Sequence, residues 1–216
     1  MPLLAASVLL TGGVGASILF TAGTADAAAC VPSEAAGTSC SITGTLIITS
    51  GTMTLTAPPA LGWSETQNGL DQKLFDPTVA DQTYQVDDAT GTGPGWHVTV
   101  AATQFTSGAN VLPDGGTFAT NGSIGLMTDT TAPTAACTGG STCTLPTDTT
   151  TYPVAVTTGA AVTPVNIYDA SALTGLGTIT IGSPGTDPVG WWLNVLSNAI
   201  QGTYTSTVSM ELVSGP

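Results

Sequence analysis

The run GTYTSTVSMELVSG (Gly202–Gly215) decides the fold class. In it Tyr204, Val208, Met210 and Leu212 share one side of an extended backbone, while Thr205, Thr207, Ser209 and Glu211 share the other. Successive side chains of a strand point to opposite faces, so a period of two describes a strand that covers a core on one side and meets water on the other. Outward from this run the same pattern recurs. In WHVTVAA (96–102) Trp96, Val98 and Val100 alternate with His97, Thr99 and Ala101, and in TYQVDD Tyr84 and Val86 share a face. Leu46 and Ile48 on one side of Ser50-Gly51, and Met53 and Leu55 on the other, predict a hairpin with a two-residue turn. Pro58-Pro59 ends its second strand, because proline cannot donate to a ladder. Further short strands are predicted in YPVAVTT, VNIYDA, GTITIG and WWLNV. Residues 64–82 are the least β-like, Asn121-Gly122 reads as a turn, and Ser197–Gln201 as one helical turn. No long amphipathic helix is visible, so the expected fold is all-β, a single antiparallel β-sandwich or jelly-roll-like domain.

Composition agrees with this pattern. Of 216 residues, 42% are hydrophobic and only 7% charged, and the polar remainder is rich in Thr, Gly, Ser and Asn. Thr and Val suit a pleated, half-buried surface and Gly suits tight turns. Fourteen acids stand against a single lysine, Lys73, for a formal charge of −13. A nucleic-acid backbone repels such a surface, and without Lys or Arg there is nothing to release its counterions. Anionic membrane surfaces are excluded by the same reasoning. Neutral, hydroxyl-rich partners such as glycans stay open, as do proteins.

The N-terminal stretch is apolar from Leu3 to about Ala22 and then carries the small residues Ala25-Asp26-Ala27, with Ala28 and Ala29 following. This reads as a secretory signal peptide, residues 1–29, cleaved near 27–29, with the folded domain at 30–216. A retained membrane anchor is the alternative, since Leu3–Ala22 is just long enough to span a bilayer. A lipid attachment site at Cys30 is a weaker one, because Ala27 stands where a larger aliphatic residue is expected. After cleavage no membrane contact is expected. The four cysteines form two close pairs, Cys30 with Cys40 and Cys137 with Cys143. Three connectivities are open, and local pairing is the expected one. Each bond would contribute about 2–3 kcal/mol in an exported compartment. The second would hold a surface loop spanning roughly 128–151, which is poor in bulky residues. Metal binding fits poorly, with His97 the only histidine and no close Cys-x-x-Cys spacing.

Two tryptophan motifs give the sequence a family likeness. DATGTGPGWHVTVAATQF (88–105), NIYDASALTGLGTITI (166–181) and WWLNVLSNAIQGTYTSTVSMELVSGP (191–216) together resemble the WxL domain of Gram-positive bacterial surface proteins. The C-terminal motif is intact as Trp191-Trp192-Leu193, whereas the central one is Trp96-His97-Val98, with Val in the leucine position. The resemblance covers about 42–216. It implies an exported β-domain associated non-covalently with the cell wall, with peptidoglycan or another wall glycan as partner and no cofactor. Strand geometry places Trp191 and Leu193 on one face and Trp192 and Asn194 on the other, and Trp96 and Val98 form the matching pair. An exposed indole stacks on the apolar face of a sugar ring while nearby amides and hydroxyls bond its polar groups. The candidate ligand-binding residues are therefore Trp96, Val98, Trp191, Trp192, Leu193 and Asn194. Trp96 and Trp191 also suit a role as core anchors, and Trp192 is the ring expected outside.

Catalysis is not expected. His97 alternates with Trp96 and Val98 and has no nucleophile at recognisable spacing, and no G-x-S-x-G elbow is present. A pair of glycosidase carboxylates is not singled out by any spacing among the acids. Asp87-Asp88, or Asp71, Asp76 and Asp81, offer oxygens of the kind calcium takes, but loop acids and a turn cap at Asp88 describe them better. An isopeptide bond from Lys73 and glycosylation at Asn121-Gly122-Ser123 are weaker readings. The end Val213-Ser214-Gly215-Pro216 carries no sorting signal, so retention is expected to be non-covalent or through a partner. The rival to wall anchoring is a structural subunit that assembles into a surface fibre or layer by strand addition.

Overall fold

The computed structural model describes residues 44–112, 125–156 and 162–216. The expected leader, the Cys30–Cys40 bond and the Asn121-Gly122 turn lie outside them. Residues Ile48–Pro216 form one compact unit, and Met1–Ile47 count as another.

Among the described residues there are thirteen strands, all antiparallel where paired, and the one helical element is a 3₁₀ turn at Val79–Gln82. The first sheet runs in the order β1 (Met53–Thr56), β3 (Tyr84–Asp88), β11 (Gly177–Ile181), β8 (Ala135–Cys137). A second sheet has β4 (Trp96–Ala102) between β10 (Val165–Ala170) and β13 (Val208–Ser214). A third runs β2 (Gln72–Phe75), β12 (Trp192–Val195), β7 (Leu126–Met127), β9 (Ala155–Val156). A small hairpin joins β5 (Thr106–Ser107) to β6 (Asn110–Val111). Val86, Ile179 and Ile181 of the first sheet meet Val98, Val100 and Ile167 of the second in one buried cluster, which makes the domain a β-sandwich. Leu126 and Val156 of the third sheet join that cluster. Each such side chain contributes about 1.5–3 kcal/mol through burial.

The alternation predicted for β4 is the one observed: Trp96, Val98 and Val100 are buried and His97 and Thr99 half-buried. In β13, Val208, Met210 and Leu212 pack on the core while Ser209 and Glu211 face water. Cys137 and Cys143 are joined, with Cα atoms 5.6 Å apart. The segment around them is more than a loop, for β8 pairs with β11 and Thr144 bridges to Leu176.

Three expectations need correction. Ser50-Gly51 does not close a hairpin: Leu46, Ile47 and Ile48 are exposed, and β1 pairs with β3, Leu55 opposite Val86. The Gly51 N–H donates to the Ala89 carbonyl at 2.9 Å, extending that pairing. Alternation specifies a face but not a partner, and Val86 offers β1 a buried neighbour that Leu46 and Ile48 lack. Within 64–82, β2 forms after all, because β12 supplies the other side of its ladder. Ser197–Gln201 makes a turn, Ala199 N–H to Leu196 carbonyl at 3.0 Å, rather than a helical segment.

Burial of Trp96 depends on backbone as much as on side chains. Its indole N–H donates to the Gly175 carbonyl at 2.9 Å, and its ring stacks on Tyr168 with centroids 6.0 Å apart. Gly175 has φ +70°, and a Cβ there would lie 2.5 Å from Trp96 Nε1. Gly175→Ala is expected to lower stability by about 2–4 kcal/mol, overpacking added to left-handed backbone strain. A denaturant melt checks this; an unchanged midpoint would show that the indole can retreat.

Candidate wall-binding site

Trp191 and Trp192 stand at the start of β12 and face opposite ways, as neighbours on a strand must. Trp191 is fully buried, with its indole N–H donating to the Asp81 carbonyl at 2.9 Å. Its own carbonyl accepts the Asp76 N–H at 2.9 Å and the Trp63 indole N–H at 3.2 Å. One residue therefore fastens the stretch from Trp63 to Asp81, more than a hundred residues away in sequence, to the start of β12. Leu193 and Val195 follow it inward and pack with Phe105 and Leu112 in a second cluster.

Trp192 is partly exposed and belongs to the outer face of the third sheet. Phe75, directly opposite in register, approaches with ring centroids 4.9 Å apart and planes at 51°. Lys73 lies opposite Asn194, and its ammonium sits 4.4 Å from the centre of the Trp192 ring. Here is the single basic side chain among all Lys and Arg of the sequence. Such an exposed cation–π contact is worth about 0.5–1 kcal/mol, little enough for an arriving ring to displace the ammonium.

The polar edge of Trp192 is held too. Its indole N–H donates to Asp129 Oδ2 at 3.1 Å, while Asp129 Oδ1 accepts the Thr130 N–H at 2.6 Å. Partial burial works against the charged carboxylate, but the bonds from Trp192, Thr130 and Thr131 outweigh it and lower the Asp129 pKa. Gly190, with φ +65°, lets the two groups come together: a Cβ at that position would lie 2.6 Å from Asp129 Cβ. Asp129, Phe75 and Gly190 are not marked as site residues by any motif in the sequence. Only Gly190 carried a local signal, its place directly before the two tryptophans.

The six predicted site residues therefore divide. Trp96, Val98, Trp191 and Leu193 are interior, where they shape the sandwich. Trp192 and Asn194 occupy the outer face of β12. The remaining candidates of the sequence stay scattered. His97 Nδ1 donates to the Gly215 carbonyl at 2.6 Å, which fastens the chain end to β4. Asp88 Oδ1 accepts the N–H and hydroxyl of Thr90, capping a turn as expected, and Asp87 accepts the Thr178 hydroxyl. Asp76 accepts the N–H groups of Gly62 and Thr78. Among the described residues no three His, Cys, Asp or Glu side chains converge as a metal site, and no helix is long and apolar enough to cross a membrane.

The Asp129 bond has a pH signature. A carboxylate whose folded pKa is depressed adds stability that is present above its unfolded value and disappears as pH falls through the folded one. For Asp129 that window lies below the ordinary value of 3.8. Carbon-detected NMR titration should place its midpoint there, and Trp192→Phe, which removes the indole donor, should move the midpoint upward. An unmoved midpoint would show that the indole bond does not hold the charge.

No curated protein and no solved structure matches the chain. The family model for the WxL domain, described as surface cell wall-binding, matches residues 44–216, well over half of the sequence and the whole of the sandwich. With the tryptophans of both motifs buried in one core, and with that match spanning the sandwich from end to end, the chain belongs to the WxL family of surface cell wall-binding domains.

Proposed function

We propose that this chain is an exported module that holds non-covalently to peptidoglycan, and that Trp192 is the residue that meets the glycan. The observation that carries the reading is the outward turn of Trp192 beside Phe75, on a domain whose other motif tryptophans are wholly buried. A sugar ring has one flatter, C–H-rich face that fits an indole, and its hydroxyls and acetamido groups need donors and acceptors around it. Asn194 and Lys73 lie in register beside the ring and can supply these. A net charge of −13 keeps such a surface from anionic polymers in general, so recognition rests on stacking and hydrogen bonds rather than on bulk electrostatics.

In this reading the buried pair has a different task from the exposed ring. Trp191 and Leu193 fix the height and direction of β12, so that Trp192 is presented on a rigid strand instead of a loop. Catalysis has no part in it, and the domain acts by attachment. The expected processing of residues 1–29 and the domain start near Cys30 belong to the same proposal, as export is what would bring the module to the wall.

Sedimentation with purified insoluble peptidoglycan tests the assignment. The protein should pellet, and Trp192→Ala, with its fold checked by circular dichroism, should bind about tenfold more weakly or worse, a loss of about 1.4 kcal/mol. Undiminished pelleting of a folded Trp192→Ala variant would remove this ring from the contact.

A further inference from the structure

Lys73 is the one Lys or Arg of a chain with fourteen acids, and it is exposed on the outer face of β2. Coulomb attraction would draw a lone ammonium in so acidic a chain to a carboxylate. Among the described residues Lys73 forms no ion pair, and its ammonium lies instead 4.4 Å from the centre of the Trp192 ring. The nearest acid in sequence, Asp71, accepts the Ser197 N–H at 2.8 Å. Register puts the lysine over the platform: it stands opposite Asn194, one diagonal step from Trp192, which a long side chain spans.

A sugar stacked on the indole needs the place that this ammonium holds. Carbon atoms in contact lie about 3.5–4 Å apart, so a stacked ring and an ammonium 4.4 Å from the ring centre exclude one another. The long, flexible stem of the lysine then carries its charge to the rim of the incoming ring, where its N–H donors need acceptors. A sugar hydroxyl answers with an ordinary hydrogen bond. A carboxylate answers with a charge-assisted one, about twice as strong.

The opposite flank of Trp192 is closed to a second negative charge. There β7 pairs with β12, Met127 opposite Trp192, and Asp129 follows two residues on, accepting the indole N–H at 3.1 Å. Partial burial works against its charge, but the bonds it accepts outweigh this and keep it ionised. The platform is therefore polarised across β12, positive on the β2 side and negative on the β7 side. An acidic ring substituent fits it in one orientation only.

We propose that the platform is selective for a pyranose that carries a carboxylate on one of its ring substituents, with Lys73 as the residue that reads it. The inference rests on Trp192 being the ring that meets the glycan, and it narrows the ligand: of otherwise similar wall sugars, the platform takes the acidic one. The ligand is a single carboxylate on an otherwise neutral glycan, since the net charge of −13 turns away a polyanion.

Calorimetric titration of the full chain tests this with one peptidoglycan-derived oligosaccharide in three forms. In the first the stem peptides are removed, so that the lactyl carboxylates on the sugar rings are free; in the second those carboxylates are converted to primary amides; in the third the stem peptides are in place and the carboxylates belong to the peptide. The free-acid form should bind about tenfold more tightly than the amidated one, as a charge-assisted bond would give. Lys73→Met, with its fold checked by circular dichroism, should equalise the two, and Lys73→Arg should keep the preference. Net repulsion disfavours the free-acid form over the rest of the surface, so a preference for it has to come from a local donor. If it survives Lys73→Met, that donor is not Lys73 and the proposal is overturned. Equal affinity for the free-acid and amidated forms, no binding of any form, or a Lys73-dependent preference for the peptide-bearing form alone overturns it as well. Trp192→Ala separates this from the platform itself. If it weakens all three forms while the parent binds them equally, stacking stands and only the charge selection falls; if it changes no affinity, the platform falls and the selection with it.

Discussion

Two buried indoles, each with an N–H that must be bonded, constrain the whole sandwich. A desolvated donor without a partner costs about 1–3 kcal/mol, so Trp96 and Trp191 have to be seated against particular backbone carbonyls. Those carbonyls belong to Gly175 and Asp81, 79 and 110 residues away in the chain. To satisfy the first, the turn before β11 must press against β4, which is possible only because residue 175 lacks a Cβ. To satisfy the second, the 3₁₀ turn must come up against the start of β12. The W-x-L spacing thus works first as a device for bringing distant segments into register, whatever the outer surfaces later do.

From that seating the outer platform follows. Once Trp191 is turned inward, the pleat leaves Trp192 no direction but outward, and Gly190 lets Asp129 close on its indole N–H. Phe75 and Lys73 arrive because β2 pairs with β12 in a register that sets them opposite Trp192 and Asn194. An aromatic pair, a carboxylate and the chain's single basic residue come together on one side of one sheet. The other side of the same strand lines a groove that Trp63, Phe105 and Tyr204 also border.

Scarcity of positive charge organises the remaining polar chemistry. With one Lys or Arg against fourteen acids, the carboxylates cannot be neutralised by salt bridges and turn to backbone N–H groups and hydroxyls instead. Asp169 is an example, buried and bonded by the N–H and hydroxyl of Thr149 and the hydroxyl of Thr150. Beside it Asp148 is pushed up in pKa, by burial and then by its bond with Asp169, while Asp169 itself is held below the ordinary range because the bonds it receives outweigh its burial. The abundance of Thr is therefore a solvation device as well as a β-forming composition.

Much of the fold was legible because strand faces are a local property. A period of two in Trp96–Ala102 and Val208–Ser214 states which side chains go inward, and adjacency alone separates Trp191 from Trp192. The family could be read as well, from the order and spacing of two motifs and the closing run. What the residues did not carry was pairing. Nothing in LIITSGTMTL says that β1 will leave its neighbour for β3, and nothing in QKLF says that it will flank WLNV. Asp129 and Phe75 were invisible for the same reason, since their meaning lies in what long-range pairing sets beside them. The sequence by itself determined the all-β class and the inward and outward faces, because these depend on neighbours one or two residues apart, and the family, because the order and spacing of its motifs are written along the chain. Only the tertiary structure decided which groups surround the outward Trp192, because those arrive through contacts closed across more than sixty residues of chain.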